Sequence, residues 1–94
     1  MPNAYFVGLI NVRDDAAWQS YVSQVSQVIA QYGGVVLFRG QQVLQTSGNM
    51  AHDNVVTLQF CDVASAMRWH DSPEYQRLIA VRDAAADVTL VLYQ

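Results

Sequence analysis

Trp69-His70-Asp71-Ser72-Pro73-Glu74-Tyr75-Gln76 (WHDSPEYQ) contains one of two histidines in the chain, followed directly by an aspartate. As chemistry, the stretch suggests a His-Asp pair. As backbone, it is a helix start. Ser72 suits an N-cap, and Pro73 suits the first helical position, where its missing N–H costs nothing. Glu74 falls in the first turn, at the positive end of the helix dipole. The stretch is therefore the joint between two helices. A short one, Val63 to His70, is capped by Asp62; a longer one runs from Pro73 to about Ala85.

Working outward, Ala4 to Val12 is short, apolar and bounded by Pro2 and by Asp14-Asp15, which predicts a strand. Asp14 or Asp15 then caps a helix reaching about Tyr32. Its apolar residues Trp18, Tyr21, Val22, Val25, Val28, Ile29 and Tyr32 recur at intervals of three and four, making one buried stripe. Gly33-Gly34 ends it, since a left-handed C-cap favours glycine. Val35 to Arg39 reads as a second strand, bent at Gly40, with Val43-Leu44-Gln45 as its continuation. Thr46 to Asn54 is a polar loop carrying His52. Val55 to Phe60 and Val88 to Tyr93 are the remaining strands. The order is β-α-β-β-α-β, the ferredoxin-like pattern of an α+β fold. Right-handed crossovers place the helices on one face of an antiparallel sheet.

The other face raises a problem. A sheet covered on one side alternates apolar and polar residues, yet most of these strands are apolar on both sides. Tyr5, Val7 and Leu9 oppose Ala4, Phe6 and Ile10; Val88, Leu90 and Leu92 oppose Thr89, Val91 and Tyr93. Burying each large side chain contributes about 1.5–3 kcal/mol. Half a dozen of them offset an association cost of ~4–15 kcal/mol. A homodimer through the uncovered sheet face, its two sheets facing each other, is expected.

Composition narrows the function. The 94 residues, 52% hydrophobic and 14% charged, make one folded domain, residues 1–94. Net charge is −3, with five arginines and no lysine. No basic face for nucleic acid or an anionic membrane is visible. The apolar run Ala4 to Ile10 is too short to span a bilayer and lacks the basic flank of a signal peptide. With the lone Cys61, expected to be an inert thiol, this points to a soluble cytoplasmic protein.

Six residues are candidate site positions. His70 shares a stripe with Val63, Ala66 and Met67, so it faces the sheet and is a candidate acid or base; the alternative is a half-buried ring bonded to backbone. Tyr21 is a second proton-transfer candidate. Arg82 lies at i+7 from Tyr75 on a stripe with Leu78 and Ile79. A guanidinium there needs a carboxylate, that of a substrate or of an aspartate such as Asp14 or Asp87, unless its stem snorkels outward. Arg39 shares a face with Val35 and Leu37 by period-two alternation and poses the same question, with a salt bridge across the dimer as its alternative. Trp69 and Tyr75, with Trp18, Tyr21 and Tyr32, line an aromatic pocket or form plain core. The two His-Asp pairs match no standard ligand spacing. No metal and no cofactor is expected; Gly33-Gly34 follows a helix instead of opening one, so it is no phosphate loop. From Ala16 to Phe38 the chain carries no charge at all.

QYGGVVLFRG (Gln31 to Gly40) and WHDSPEYQRLIAVR (Trp69 to Arg82), in this order and spacing, resemble the family called domain of unknown function 1330. The resemblance covers nearly the whole chain. Gly33, Gly34, Arg39, Gly40, Trp69, Ser72, Pro73, Tyr75 and Arg82 are its signature positions; at position 70, commonly tyrosine in that family, this chain has histidine. The resemblance implies the dimeric α/β-barrel fold, whose members include cofactor-free monooxygenases, muconolactone isomerases and haem-binding proteins. Two classes of function follow. One is a small-molecule-binding protein or cofactor-free enzyme, monooxygenase- or isomerase-like, for an apolar or aromatic ligand with an anionic group. The other is a non-catalytic dimeric structural or regulatory module.

Overall fold

A computed structural model describes residues 2–94. The chain runs β1 (Ala4–Val12), α1 (Asp15–Gln31), β2 (Val35–Gln41), β3 (Asn54–Phe60), α2 (Val63–Asp71), α3 (Pro73–Ala85) and β4 (Ala86–Tyr93). The strands form one antiparallel sheet in the order β2-β3-β1-β4. This is the α+β, ferredoxin-like arrangement the sequence predicts, with the helices on one face.

The helix boundaries follow from local chemistry. Asp14 caps α1, its Oδ1 accepting from Ala17 N at 3.0 Å. The stripe Tyr21, Val25, Ile29 is buried. Gly33 ends the helix at φ +79°, a left-handed conformation that a Cβ disfavours. At the joint, Ser72 Oγ accepts from Tyr75 N at 3.1 Å and donates to Trp69 O at 2.7 Å. One buried hydroxyl thus closes α2 and opens α3.

The core lies between sheet and helices. Ala4, Phe6 and Ile10 of β1 and Val56, Leu58 and Phe60 of β3 pack there against Trp69, Tyr75 and Leu78. Phe60 and Trp69 approach to 5.6 Å between ring centroids, and Trp69 and Tyr75 to 4.2 Å.

In β2 the structure departs from simple alternation. Val36 opposes Leu58 and Phe38 opposes Thr57, so Leu37 is an extra residue, a β-bulge. One inserted residue exchanges the two faces for everything after it. Arg39 therefore opposes Val56 on the helix side of the sheet, not on the side of Val35 as period-two counting predicts. Phe38 joins Val35 on the far side, where its ring lies over Gly40.

The expected continuation of this strand through Val43-Leu44-Gln45 is also corrected. Gln42 N donates to Asp53 O at 2.6 Å and ends the pairing. Residues 43–53 form an irregular arm, with Val43 98% and Leu44 76% exposed. They have no partner strand and no core to enter. The root of the arm is tied down, because Asn11 donates to Ala51 O at 2.7 Å and accepts from Asp53 N at 2.8 Å.

The far face of the sheet carries Tyr5, Val7, Leu9, Val35, Phe38, Val55, Val91 and Tyr93, interrupted by Thr57, Gln59 and Thr89 and bordered at one end by Asn11 and Asp87. Its one charged strand residue is Asp87, near the start of β4 opposite Asn11. Phe38 is 57% and Tyr93 55% exposed. No helix among the described residues is long and apolar enough to cross a membrane.

Candidate functional site

A cavity of about 30 Å³ lies between sheet and helices, walled by Tyr21, Val25 and Ile29 of α1, Trp69, Tyr75 and strand residues including Gly8 and Leu90. It meets an open cleft of about 270 Å³ at Ile10, Trp18 and Arg39, which line both. The inner part has room for about two waters. Gly8 keeps it open: a Cβ there would sit 2.8 Å from Val56 Cγ1. Gln41 and Asn54 form the polar rim of the outer cleft.

Tyr21 is the polar centre of this space. Its side chain is buried, and its hydroxyl approaches that of Tyr75. Burial holds the Tyr21 phenol well above its usual ionisation range, and Tyr75 adds to this. The guanidinium groups of Arg82 and Arg39 pull the other way without cancelling it. Near neutral pH, Tyr21 is therefore a hydrogen-bond donor or acid, not a base.

The two arginines of the site differ. Arg82 is engaged. Its Nη1 donates to the Tyr75 hydroxyl at 2.8 Å and its Nε to Asp83 Oδ1 at 2.9 Å. Burial works against its charge, but Asp83 and Tyr75 outweigh that and raise its pKa. The partner is thus the neighbouring Asp83, not Asp14 or Asp87. Arg39 has no ion pair or side-chain hydrogen bond among the described residues. Partial burial lowers its pKa, and the only opposing influence is Tyr21. It is also the single charged residue between Asp15 and Asp53.

A further polar group is left open. Trp69 Nε1 is buried without a hydrogen-bond partner, on a side chain that walls the cavity. Sequence reasoning named Trp69 but had no signal for the orphaned N–H, which depends on what surrounds the ring.

His70 does not line the cavity. Its ring stacks on Phe6 at 6.0 Å, and Nδ1 lies 3.0 Å from Asp71 Oδ1. Tyr21, Arg39, Trp69 and Tyr75 are brought together around the cavity, with Arg82 behind Tyr75 and the His70 ring packed outside it, 5.6 Å from that of Tyr75. His52 is far from all of these, near Asp87 with Nε2 to Oδ2 3.4 Å. Among the described residues, no three His, Cys, Asp or Glu side chains converge on a metal-sized site.

A family model described as "Domain of unknown function (DUF1330)" matches residues 3–94. The chain belongs to the DUF1330 family. No curated protein matches it. Among solved structures, this DUF1330 chain is similar to a protein of unknown function from Rhodopseudomonas palustris. That match has 22% identity and a TM-score of 0.82, covering 97% of this chain and 80% of that one. It is also similar to SnoaB from Streptomyces nogalater, a cofactor-independent oxygenase. There the identity is 14% and the TM-score 0.72, covering 100% and 93%. A third is a dimeric ferredoxin-like protein of unknown function from Jannaschia, with 12% identity, a TM-score of 0.69 and 99% of each chain covered. At these identities the DUF1330 chain shares their fold, and its chemistry has to be argued from its own residues.

Proposed function

We propose that the protein binds a small apolar or aromatic molecule bearing an anionic group, in the cleft between sheet and helices. One observation carries this: Arg39 is an unpaired cation where the cavity meets the cleft. Its guanidinium is exposed at the mouth of the cavity with no carboxylate partner among the described residues, so a ligand carboxylate can pair with it through two parallel hydrogen bonds without displacing an ion pair. The ligand body lies in the outer cleft against Trp18. A small acceptor such as a carbonyl oxygen reaches inward, where Trp69 Nε1–H is free to donate and the Tyr21 hydroxyl lies beside that of Tyr75.

If the protein is an enzyme, it is of the cofactor-free kind, and Tyr21 is its proton donor. SnoaB has the same fold and is a cofactor-independent oxygenase, which supports this version without naming a reaction. The small inner cavity favours a second reading, a non-catalytic module whose aromatics are only core. We infer further that the working form is a homodimer through the largely apolar sheet face. The Jannaschia relative, of the same fold, is dimeric.

Calorimetric titration with a panel of aromatic and aliphatic carboxylates tests the proposal. Binding is expected, and Arg39→Gln should weaken it at least about tenfold, the loss of one charge-assisted pair, in a chain with unchanged circular dichroism. If wild-type protein binds no carboxylate, the module reading stands. If Arg39→Gln binds equally well, Arg39 is not the anchor.

A further inference from the structure

We propose that the 43–53 arm is a clasp with which each copy of the chain grips a second copy. The inference rests on the sheet-face dimer just proposed and adds the residues that lock it.

Val43 and Leu44 are the two most exposed large aliphatic side chains, at 98% and 76%. A loop could hide them by folding inward; this one is held away from its own core. Asn11 fixes its root at Ala51 and Asp53. Within the arm, Gln45 donates to Gly48 O and accepts from Met50 N at 3.1 Å. From Gly40 to His52 there is no formally charged residue; the arm's one charge, Asp53, sits at its root, where its backbone N–H is bonded to Asn11.

A receiving surface exists on the same face. A notch of about 200 Å³ opens between the root of the arm and the far face of the sheet, bounded by Leu9, Phe38, Met50 and Val55. Its volume admits a leucine side chain. A chain carrying an exposed apolar knob and, at the root of the same arm, a notch whose apolar wall is rimmed by Gln42, His52 and Asp53 can be self-complementary. In a two-fold dimer, whatever one copy inserts, the other inserts in return.

Interface size points the same way. The sheet face offers about a dozen side chains, whereas a stable interface uses roughly 20–30 residues a side. Adding residues 43–53 brings each copy into that range. A second copy is thus favoured as the occupant over an unrelated partner, because the arm supplies what the face lacks.

Sedimentation equilibrium of the full chain tests the clasp, using wild type, Leu44→Asp, Leu44→Met, Val91→Asp and Val81→Asp. Leu44 is exposed in the single copy, so its variants should fold, as circular dichroism would check. A dimeric wild type is expected. Leu44→Asp should weaken it about a hundredfold, since the loss occurs twice per dimer, and Leu44→Met should stay near wild type. Val81→Asp, on the helical side, should change nothing. Leu44→Asp dimerising like wild type while Val91→Asp dissociates overturns the clasp and leaves the sheet-face dimer standing. A monomeric wild type, or Val91→Asp dimerising unchanged, overturns the sheet-face dimer and the clasp with it.

Discussion

Arg82 Nη1 donates to the Tyr75 hydroxyl at 2.8 Å across two turns of α3, and the Tyr75 hydroxyl in turn approaches that of Tyr21. Arg82 thereby orients the donor wall of the cavity from behind, leaving Arg39 as the charge that faces a ligand.

Arg82→Gln is accordingly expected to destabilise the fold by about 1.5–3 kcal/mol, the usual range for a hydrogen bond to a charged group. Urea unfolding would measure it. Carboxylate binding should survive in Arg82→Gln, in contrast to Arg39→Gln. Equal loss of binding in both variants would mean that Arg82, and not Arg39 alone, meets the ligand.

Gly34 sits where α1 turns into β2 beneath the core. A Cβ at this position would lie 2.6 Å from Phe60 Cζ and 2.8 Å from Ile29 Cγ2. Phe60 and Ile29 are both buried and have little room to yield. Gly34→Ala should therefore cost about 1–3 kcal/mol through overpacking, readable as a lower urea midpoint. A neutral or stabilising Gly34→Ala would show that this corner repacks freely.

Stability should fall on acidification. Tyr32 donates to Glu74 Oε2 at 2.8 Å and Gln31 Nε2 does so at 3.1 Å, tying the start of α3 to the end of α1. The Tyr32 bond is the main cause holding the Glu74 carboxyl below its ordinary range. A depressed carboxyl pKa stabilises the fold fully above the unfolded value of about 4.3, and that share is lost as pH falls through the folded value. Thermal unfolding midpoints should drop from pH 5 to pH 3, and Glu74→Gln should drop less. Parallel curves for the two proteins would remove Glu74 from the account.

Much of the fold was legible because its signals are local. Asp14, Asp62 and Ser72 cap helices through bonds to residues three positions on. Gly33 needs only its own backbone angle. The apolar stripe of α1 follows from helical periodicity, and the double-sided hydrophobicity of the strands from counting by twos. The boundaries that shifted lie where pairing decides. β4 begins at Ala86 because Ala86 finds Val12 across the sheet, and β2 ends at Gln41 because no strand receives Val43.

The site was legible only in part. Sequence named Tyr21, Arg39, Trp69, Tyr75, Arg82 and His70, yet it had no means of ranking them. Arg82 was matched to distant aspartates when Asp83 lay beside it, since a side chain's choice between neighbours depends on rotamer and packing.

By itself, then, the sequence determined the elements, their order and the excess of hydrocarbon that one layer of helices cannot cover. Caps, turns and periodicity are properties of neighbouring residues. Only the tertiary structure decided which side of the sheet Arg39 occupies. The bulge at Leu37 arises from how β2 meets β3, and a one-residue slip between strands leaves no mark on either strand alone. That slip carries Arg39 from the far face to the cavity mouth.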